Sequence, residues 1–164
     1  ILKKRVNICM RGKECMYTAK EIAQYVIWLC NKKKYSISNL KLQKILYFLQ
    51  AEFLVEMGRP CFKDQMEAWD FGPVVPSVYF EYRVYGGSNI SCTTTLRMMR
   101  TFSKKVRELI DGIVEECAKY SASTLADITH SQSPWIDAYN RPGINNPITN
   151  DSIIIYFKQV SIVD

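Results

Sequence analysis

The stretch NLKLQKILYFLQAEFLVEMG, residues 39–58, decides the fold of this chain. Its apolar side chains recur three or four positions apart, which places them on one face of an α-helix. Ser38 or Asn39 is a suitable N-cap, and Gly58 is a suitable terminator. We therefore expect a central helix whose buried face consists of Leu42, Ile45, Leu46, Leu49 and Phe53.

The same helix carries a second line of side chains that is polar, formed by Gln43, Tyr47 and Gln50. Polar groups beside a core face need hydrogen-bond partners inside the protein. We interpret these three residues as structural rather than catalytic.

Helices are also predicted on both sides of this central one. Thr18 and Glu21 have the spacing of a capping box, which predicts that a first helix starts there. Further helices are predicted over residues 104–117 and 121–130, from Ser133-Pro134, and from Asn150, where an Ile-Ile-Ile run also suits an edge strand.

The segment MEAWDFGPVVPSVYFEYRVYG, residues 66–86, combines aromatic residues with prolines. Residues 59–69 before and within it favour an extended strand or a hairpin. Pro73 disfavours the α region for Gly72, and Pro76 suits the first turn of a helix. We interpret Gly72, Pro73 and Pro76 as a structural turn that leads into a helix.

Length and composition fit one folded domain. The chain has 164 residues, of which 48% are hydrophobic and 23% are charged. Together with the periodicity, this predicts a mainly α fold, a single compact multi-helix domain with a short β-hairpin around residues 60–70.

Residues 1–15 form a basic leader without helical or strand periodicity. Five basic residues against one acidic residue give it a charge of +4, so the rest of the chain carries only +2 of the total +6. We interpret Met16 as the true start, residues 1–15 as translated upstream sequence outside the fold, and residues 16–164 as the domain. The alternative is a genuine mobile basic arm.

The nearly neutral charge of residues 16–164 argues against nucleic-acid binding.

Six cysteines and one histidine limit the metal chemistry. No Cys-x-x-Cys pair occurs, so we predict neither a zinc site nor another cofactor. Cys30 and Cys117 lie on apolar helical stripes, which favours free thiols in a reducing cytoplasm.

The apolar residues 22–30 fall short of the roughly 20 residues needed to span a bilayer, so no membrane association is expected.

The sequence offers little for catalysis. Asp127 and His130 are three positions apart, so on a helix they are close enough to act as a base and its orienting group. No nucleophile motif, phosphate loop or dinucleotide fingerprint accompanies them. We predict that the chain is not an enzyme, and we keep a small hydrolase using Asp127 and His130 as an alternative.

Several aromatic residues flank the turn rather than a helical stripe: Trp69, Phe71 and Tyr85. Aromatic side chains pack well in cores, but Trp and Tyr are also enriched among the residues that dominate protein–protein binding. These three are therefore candidates for anchoring a partner.

Three blocks of the sequence resemble, in order, the signature blocks of the Panacea domain. They are SNLKLQKILYFLQ, MEAWDFGPVVPSVYFEYRVYG and ITHSQSPWIDAYNRPG. This is the SocA-like antitoxin family, which also contains many phage-associated proteins. The resemblance covers roughly Met16 to Val160 and implies a mainly helical domain that neutralises a toxin encoded beside it by protein–protein contact. It also implies no cofactor or catalytic centre, and at least some members deliver their toxin to a protease.

The sequence thus predicts an antitoxin-like binding module from a bacterium, phage or prophage, acting in the cytoplasm. Its expected partners are a cognate toxin from the neighbouring gene and, as a further option, a protease. A nucleic-acid-binding phage regulator is a second alternative. The predicted partner-binding residues are Trp69, Phe71, Tyr85, His130 and Trp135.

Overall fold

A computed structural model describes residues 17–91 and 102–163, with side chains described as far as Val160. The basic leader therefore lies outside the described residues. The elements are α1 (Ala19–Lys33), α2 (Asn39–Glu56), β1 (Met66–Trp69), β2 (Gly72–Val74), α3 (Pro76–Tyr82), a 3₁₀ turn (Arg83–Tyr85), α4 (Lys104–Ala118), α5 (Ala122–His130), α6 (Ser133–Tyr139), β3 (Pro147–Ile148) and α7 (Asn150–Val163). The predicted mainly α fold is confirmed.

Helix α2 is the centre of the domain, as its sequence predicted. It packs against α1, α4, α5, α7 and strand β2. Residues 41–51 are all buried, so the burial extends around the whole helix and is not confined to one stripe. The amphipathic pattern understated this burial because polar side chains on the other faces are also covered by neighbouring elements.

Local signals place the helix starts. Thr18 and Glu21 form the predicted capping box, and Ser38 caps α2 by accepting a hydrogen bond from the Lys41 amide. The final segment is a helix and not an edge strand; the Thr149 hydroxyl accepts from the Ser152 amide at its first turn. Helix α6 starts at Ser133, as predicted, with Pro134 in its first turn.

The predicted hairpin is present, but it covers residues 66–74 instead of the expected 60–70. β1 pairs antiparallel with β2, with Trp69 opposite Gly72, and Asp70 and Phe71 form the turn between them. A third strand, β3, pairs antiparallel with the other edge of β1, giving the order β2-β1-β3. Strand β3 was not predicted from the sequence.

The buried thiols agree with the sequence analysis. Cys30, Cys61 and Cys117 are free and buried, while the remaining cysteines lie outside the described residues. Burial raises the pKa of the Cys30 thiol to about 11 and that of Cys117 to about 12. Such thiols stay protonated near neutral pH and act as small hydrophobic groups.

Candidate partner-binding surface

The backbone that follows the β-hairpin is held against α2 by hydrogen bonds with polar side chains of that helix. The Gln43 Oε1 atom accepts from the Val75 amide at 2.9 Å, and its Nε2 atom donates to Asn39 Oδ1 at 3.0 Å. Asn39 in turn donates to the Tyr79 carbonyl at 3.1 Å. The residue between β2 and α3, Val75, is therefore held by Gln43, one of the three polar residues predicted beside the core face of α2.

Lys44 provides another contact to the same backbone. Its Nζ atom donates to the Pro73 carbonyl at 2.9 Å, and the side chain is fully buried. Burial lowers the pKa of Lys44 to about 7, because removal from water disfavours the charged form. The burial of Lys44 was not predicted from the sequence. Its helical neighbours at i+3 and i+4, Tyr47 and Phe48, are aromatic and are also buried.

Gly72 is required where Lys44 meets the hairpin. Its φ angle is +99°, a region that favours glycine. A Cβ atom at this position would lie 2.7 Å from Lys44 Nζ and 2.6 Å from Thr129 Oγ1. Pro73 follows it in β2, and Pro76 is the first residue of α3. The conformation of the segment thus depends on close packing as well as on the prolines.

An apolar pocket of about 300 Å³ opens between α2, the hairpin and α3. The Trp69 and Tyr79 rings meet edge to face within its lining, with centroids 4.9 Å apart. Phe71 projects from the hairpin turn with 70% of its surface exposed. The pocket is lined by Asn39, Leu40, Gln43, Trp69, Phe71, Val74, Tyr79, Arg83 and Gly86.

A stack of three rings lies on the α5–α6 side of the hairpin. Trp135 stacks on His130 at 4.2 Å and on Tyr139 at 4.5 Å between ring centroids. The Trp135 Nε1–H group donates to the Trp69 carbonyl at 2.9 Å, and the Tyr139 hydroxyl donates to Asp70 Oδ1 at 3.0 Å. The stack therefore holds β1 through Trp69 and the hairpin turn through Asp70.

The five predicted partner-binding residues fall into three places. Trp69 and Phe71 line the pocket, whereas His130 and Trp135 belong to the stack and connect to Trp69 through the Trp135 hydrogen bond. Tyr85 is half-buried, and its ring contacts that of Tyr82 at 6.4 Å. Their contact with a partner stays a prediction.

Two exposed apolar residues near the pocket were missed. Phe80 is 53% exposed and Val84 is 81% exposed, and the Phe80 ring lies 6.2 Å from that of Trp69. The exposure of Phe80 was predictable from the sequence, because Phe80 lies outside the apolar helical stripe that contains Val78. With Phe71 these side chains form what we call the hairpin surface: Trp69, Phe71, Phe80, Arg83 and Val84.

The structure does not join the two residues of the hydrolase alternative. Asp127 is exposed, and among the described residues no hydrogen bond links it to His130. The His130 Nε2 atom is buried and finds no partner within that part of the chain, and the ring is engaged by Trp135. The arrangement of a base with its orienting carboxylate is absent from this pair.

The described residues contain neither a cluster of metal ligands nor a membrane-spanning helix. No group of three or more His, Cys, Asp or Glu side chains there is placed to hold a metal ion. None of the helices in that part of the chain combines the length and apolar character needed to cross a membrane. The nucleic-acid alternative, which rested on the net charge of +6, stays a prediction, and residues 1–15, which carry +4 of that charge, lie outside the described residues.

Comparison with known proteins identifies the family. The model of the family described as Antitoxin SocA-like, Panacea domain matches residues 42–136, which include most of α2, the hairpin and the start of the ring stack. Antitoxin SocA of Caulobacter vibrioides (strain NA1000 / CB15N) is 35% identical over 119 residues, covering 66% of this chain and 63% of that protein. The chain thus spans less than two thirds of the length of this curated relative. No solved structure matches. The chain belongs to the Antitoxin SocA-like, Panacea domain family.

Proposed function

We propose that this chain is an antitoxin that neutralises a cognate toxin protein by direct contact at the hairpin surface. Family membership supports an antitoxin role. The observation that carries the contact site is Phe71, which is 70% exposed at the tip of a hairpin with a fixed backbone. No covalent step is part of this proposal.

The fixed hairpin gives Phe71 an energetic advantage as an anchor. Aromatic residues that enter a partner's pocket dominate the affinity of many interfaces. Ordering a loop on binding costs free energy, and a loop that is already held avoids that cost. Hydrogen bonds from Gln43 and Lys44 hold the residues directly after the turn, so Phe71 is presented with little further ordering.

Co-expression with the product of the neighbouring gene tests the proposal. We expect that product to arrest growth alone, to be tolerated with this chain, and to co-purify with it. Phe71→Ala should weaken both rescue and co-purification, whereas Ile155→Ala, which truncates an exposed apolar residue of α7, should change neither. A harmless neighbouring product, or rescue without a complex, would contradict the proposal.

A second measurement separates blocking from delivery to a protease. If the chain acts as a proteolytic adaptor, the half-life of the toxin in cells should fall when the chain is co-expressed. If it acts as a simple blocker, toxin should accumulate in the complex with an unchanged half-life. We place this encounter in the cytoplasm, where the buried thiols of Cys30, Cys61 and Cys117 remain reduced.

A further inference from the structure

We propose that the pocket beside the hairpin receives a bulky apolar side chain from an acidic segment of the partner, whose carboxylate pairs with Arg83. This inference rests on the proposed function and specifies the chemistry of the partner at the same surface. It combines two observations: an apolar pocket of suitable size, and an arginine at its edge that has no acidic partner among the described residues.

The pocket suits one large side chain better than an extended ligand. Its volume of about 300 Å³ is at the lower end of the range for small-molecule sites. Leu40, Val74 and the rings of Trp69 and Tyr79 supply apolar lining. The polar lining groups Asn39 and Gln43 are already hydrogen-bonded to each other and to the backbone, so they do not require a polar ligand.

Arg83 supplies the charge at the pocket edge. The residue is exposed, and its guanidinium lies over the Phe80 ring, 5.4 Å from the centroid. Within residues 17–91 and 102–163, no carboxylate forms an ion pair with it. An arginine fork is well matched to a carboxylate, and stacking on an aromatic ring orients it.

The acidic groups near the pocket are already engaged elsewhere. Glu67 accepts from the Trp69 indole N–H at 2.8 Å, Asp70 accepts from Tyr139, and Glu81 pairs with Lys20 at 2.9 Å. In the part of the chain that the structure describes, these carboxylates therefore do not compete with an external anion for Arg83. A nucleic acid is disfavoured at this surface, because binding a polyanion needs several cations along a strand, whereas Arg83 has carboxylates as neighbours.

Selection of random displayed peptides on the full chain tests this chemistry without the toxin. We expect enriched peptides to combine an aromatic or large aliphatic residue with Asp or Glu within one or two positions. A synthetic peptide of that consensus should bind roughly tenfold more weakly to Arg83→Glu, because the charge-assisted hydrogen bond to the guanidinium is lost; tenfold corresponds to about 1.4 kcal/mol. Lys158→Glu, a charge reversal at an exposed residue of α7, should bind like the wild type.

The outcomes distinguish this inference from the proposed function. No enrichment, enrichment without acidic residues, or equal weakening by both charge reversals overturns the inference, even if the toxin is still neutralised through Phe71. Binding that depends on Arg83 supports it, and a neighbouring product that proves harmless would then refute only the antitoxin role. Circular dichroism of both variants establishes that each is folded.

Discussion

At the scale of single residues, the buried lysine makes the clearest prediction about pH. The pKa of Lys44 falls from its ordinary 10.5 to about 7 on folding, so the folded protein disfavours the protonated amine. Between those two values the unfolded chain binds a proton that the folded chain does not. This contribution therefore lowers stability as pH falls from 10.5 to about 7, by about 1.4 kcal/mol per pH unit, and is constant below that range.

Lys44→Met should remove this pH-dependent contribution. Urea unfolding of both proteins across that pH range gives the difference between their free energies of unfolding. The contributions of other groups, such as Tyr25, whose burial raises its pKa, cancel in this difference. The variant should gain stability relative to the wild type as pH falls towards 7. Parallel pH profiles would show that Lys44 keeps an ordinary pKa in the folded protein.

Gly72 makes a second prediction at this scale. Gly72→Ala places a Cβ atom against Lys44 and Thr129 in a backbone conformation that disfavours side chains, so it should destabilise the fold by about 2–5 kcal/mol. Gly58→Ala is the matched control, because Gly58 also has positive φ but its Cβ would meet open space. Equal losses in thermal or urea unfolding would show that packing at Gly72 is unimportant.

At the scale of elements, the contact between α2 and the hairpin is the one on which the surface depends. Gln43→Leu removes the acceptor of the buried Val75 amide and should destabilise the protein by about 1–3 kcal/mol. It should also weaken partner binding, because the backbone after the turn loses a support. Gln24→Leu on α1 is the control. Partner binding that is unaffected by Gln43→Leu would mean that the hairpin is held by other contacts.

Elements whose signals are local were predictable from the sequence. The capping box at Thr18, the serine cap at Ser38 and the apolar stripe of α2 all act within a few residues, and each is present. Strand β3 was not predictable, because residues 147–148 become a strand only by pairing with Met66 and Glu67. Their local sequence carries no pattern of its own.

The candidate surface was predictable only in part for the same reason. The aromatic residues around the turn pointed to Trp69 and Phe71, which line one pocket. The sequence did not reveal that Lys44 is buried, nor that Trp135 hydrogen-bonds to the Trp69 carbonyl across 66 positions. Both depend on how distant elements pack, which periodicity within one element does not report.

At the scale of the whole molecule, α2 connects the core to the proposed interface. Its apolar side chains fill the centre of the domain, while its polar ones hold the loops around it: Gln50 accepts from the Cys61 amide at 3.0 Å, and the Tyr47 hydroxyl donates to Gln132 at 2.8 Å. Gln43 and Lys44 of the same helix also bond to the backbone that follows the hairpin turn, so the hairpin surface is attached directly to the core. We expect partners to dock on it without large rearrangement of the backbone.

Hydrogen–deuterium exchange with and without the purified toxin tests the central claim most directly. If the toxin contacts the hairpin surface, amides between Trp69 and Gly86 should exchange more slowly in the complex, and Phe71→Ala should abolish that protection. Protection confined to other elements such as α7, with residues 69–86 exchanging as in the free chain, would contradict the account.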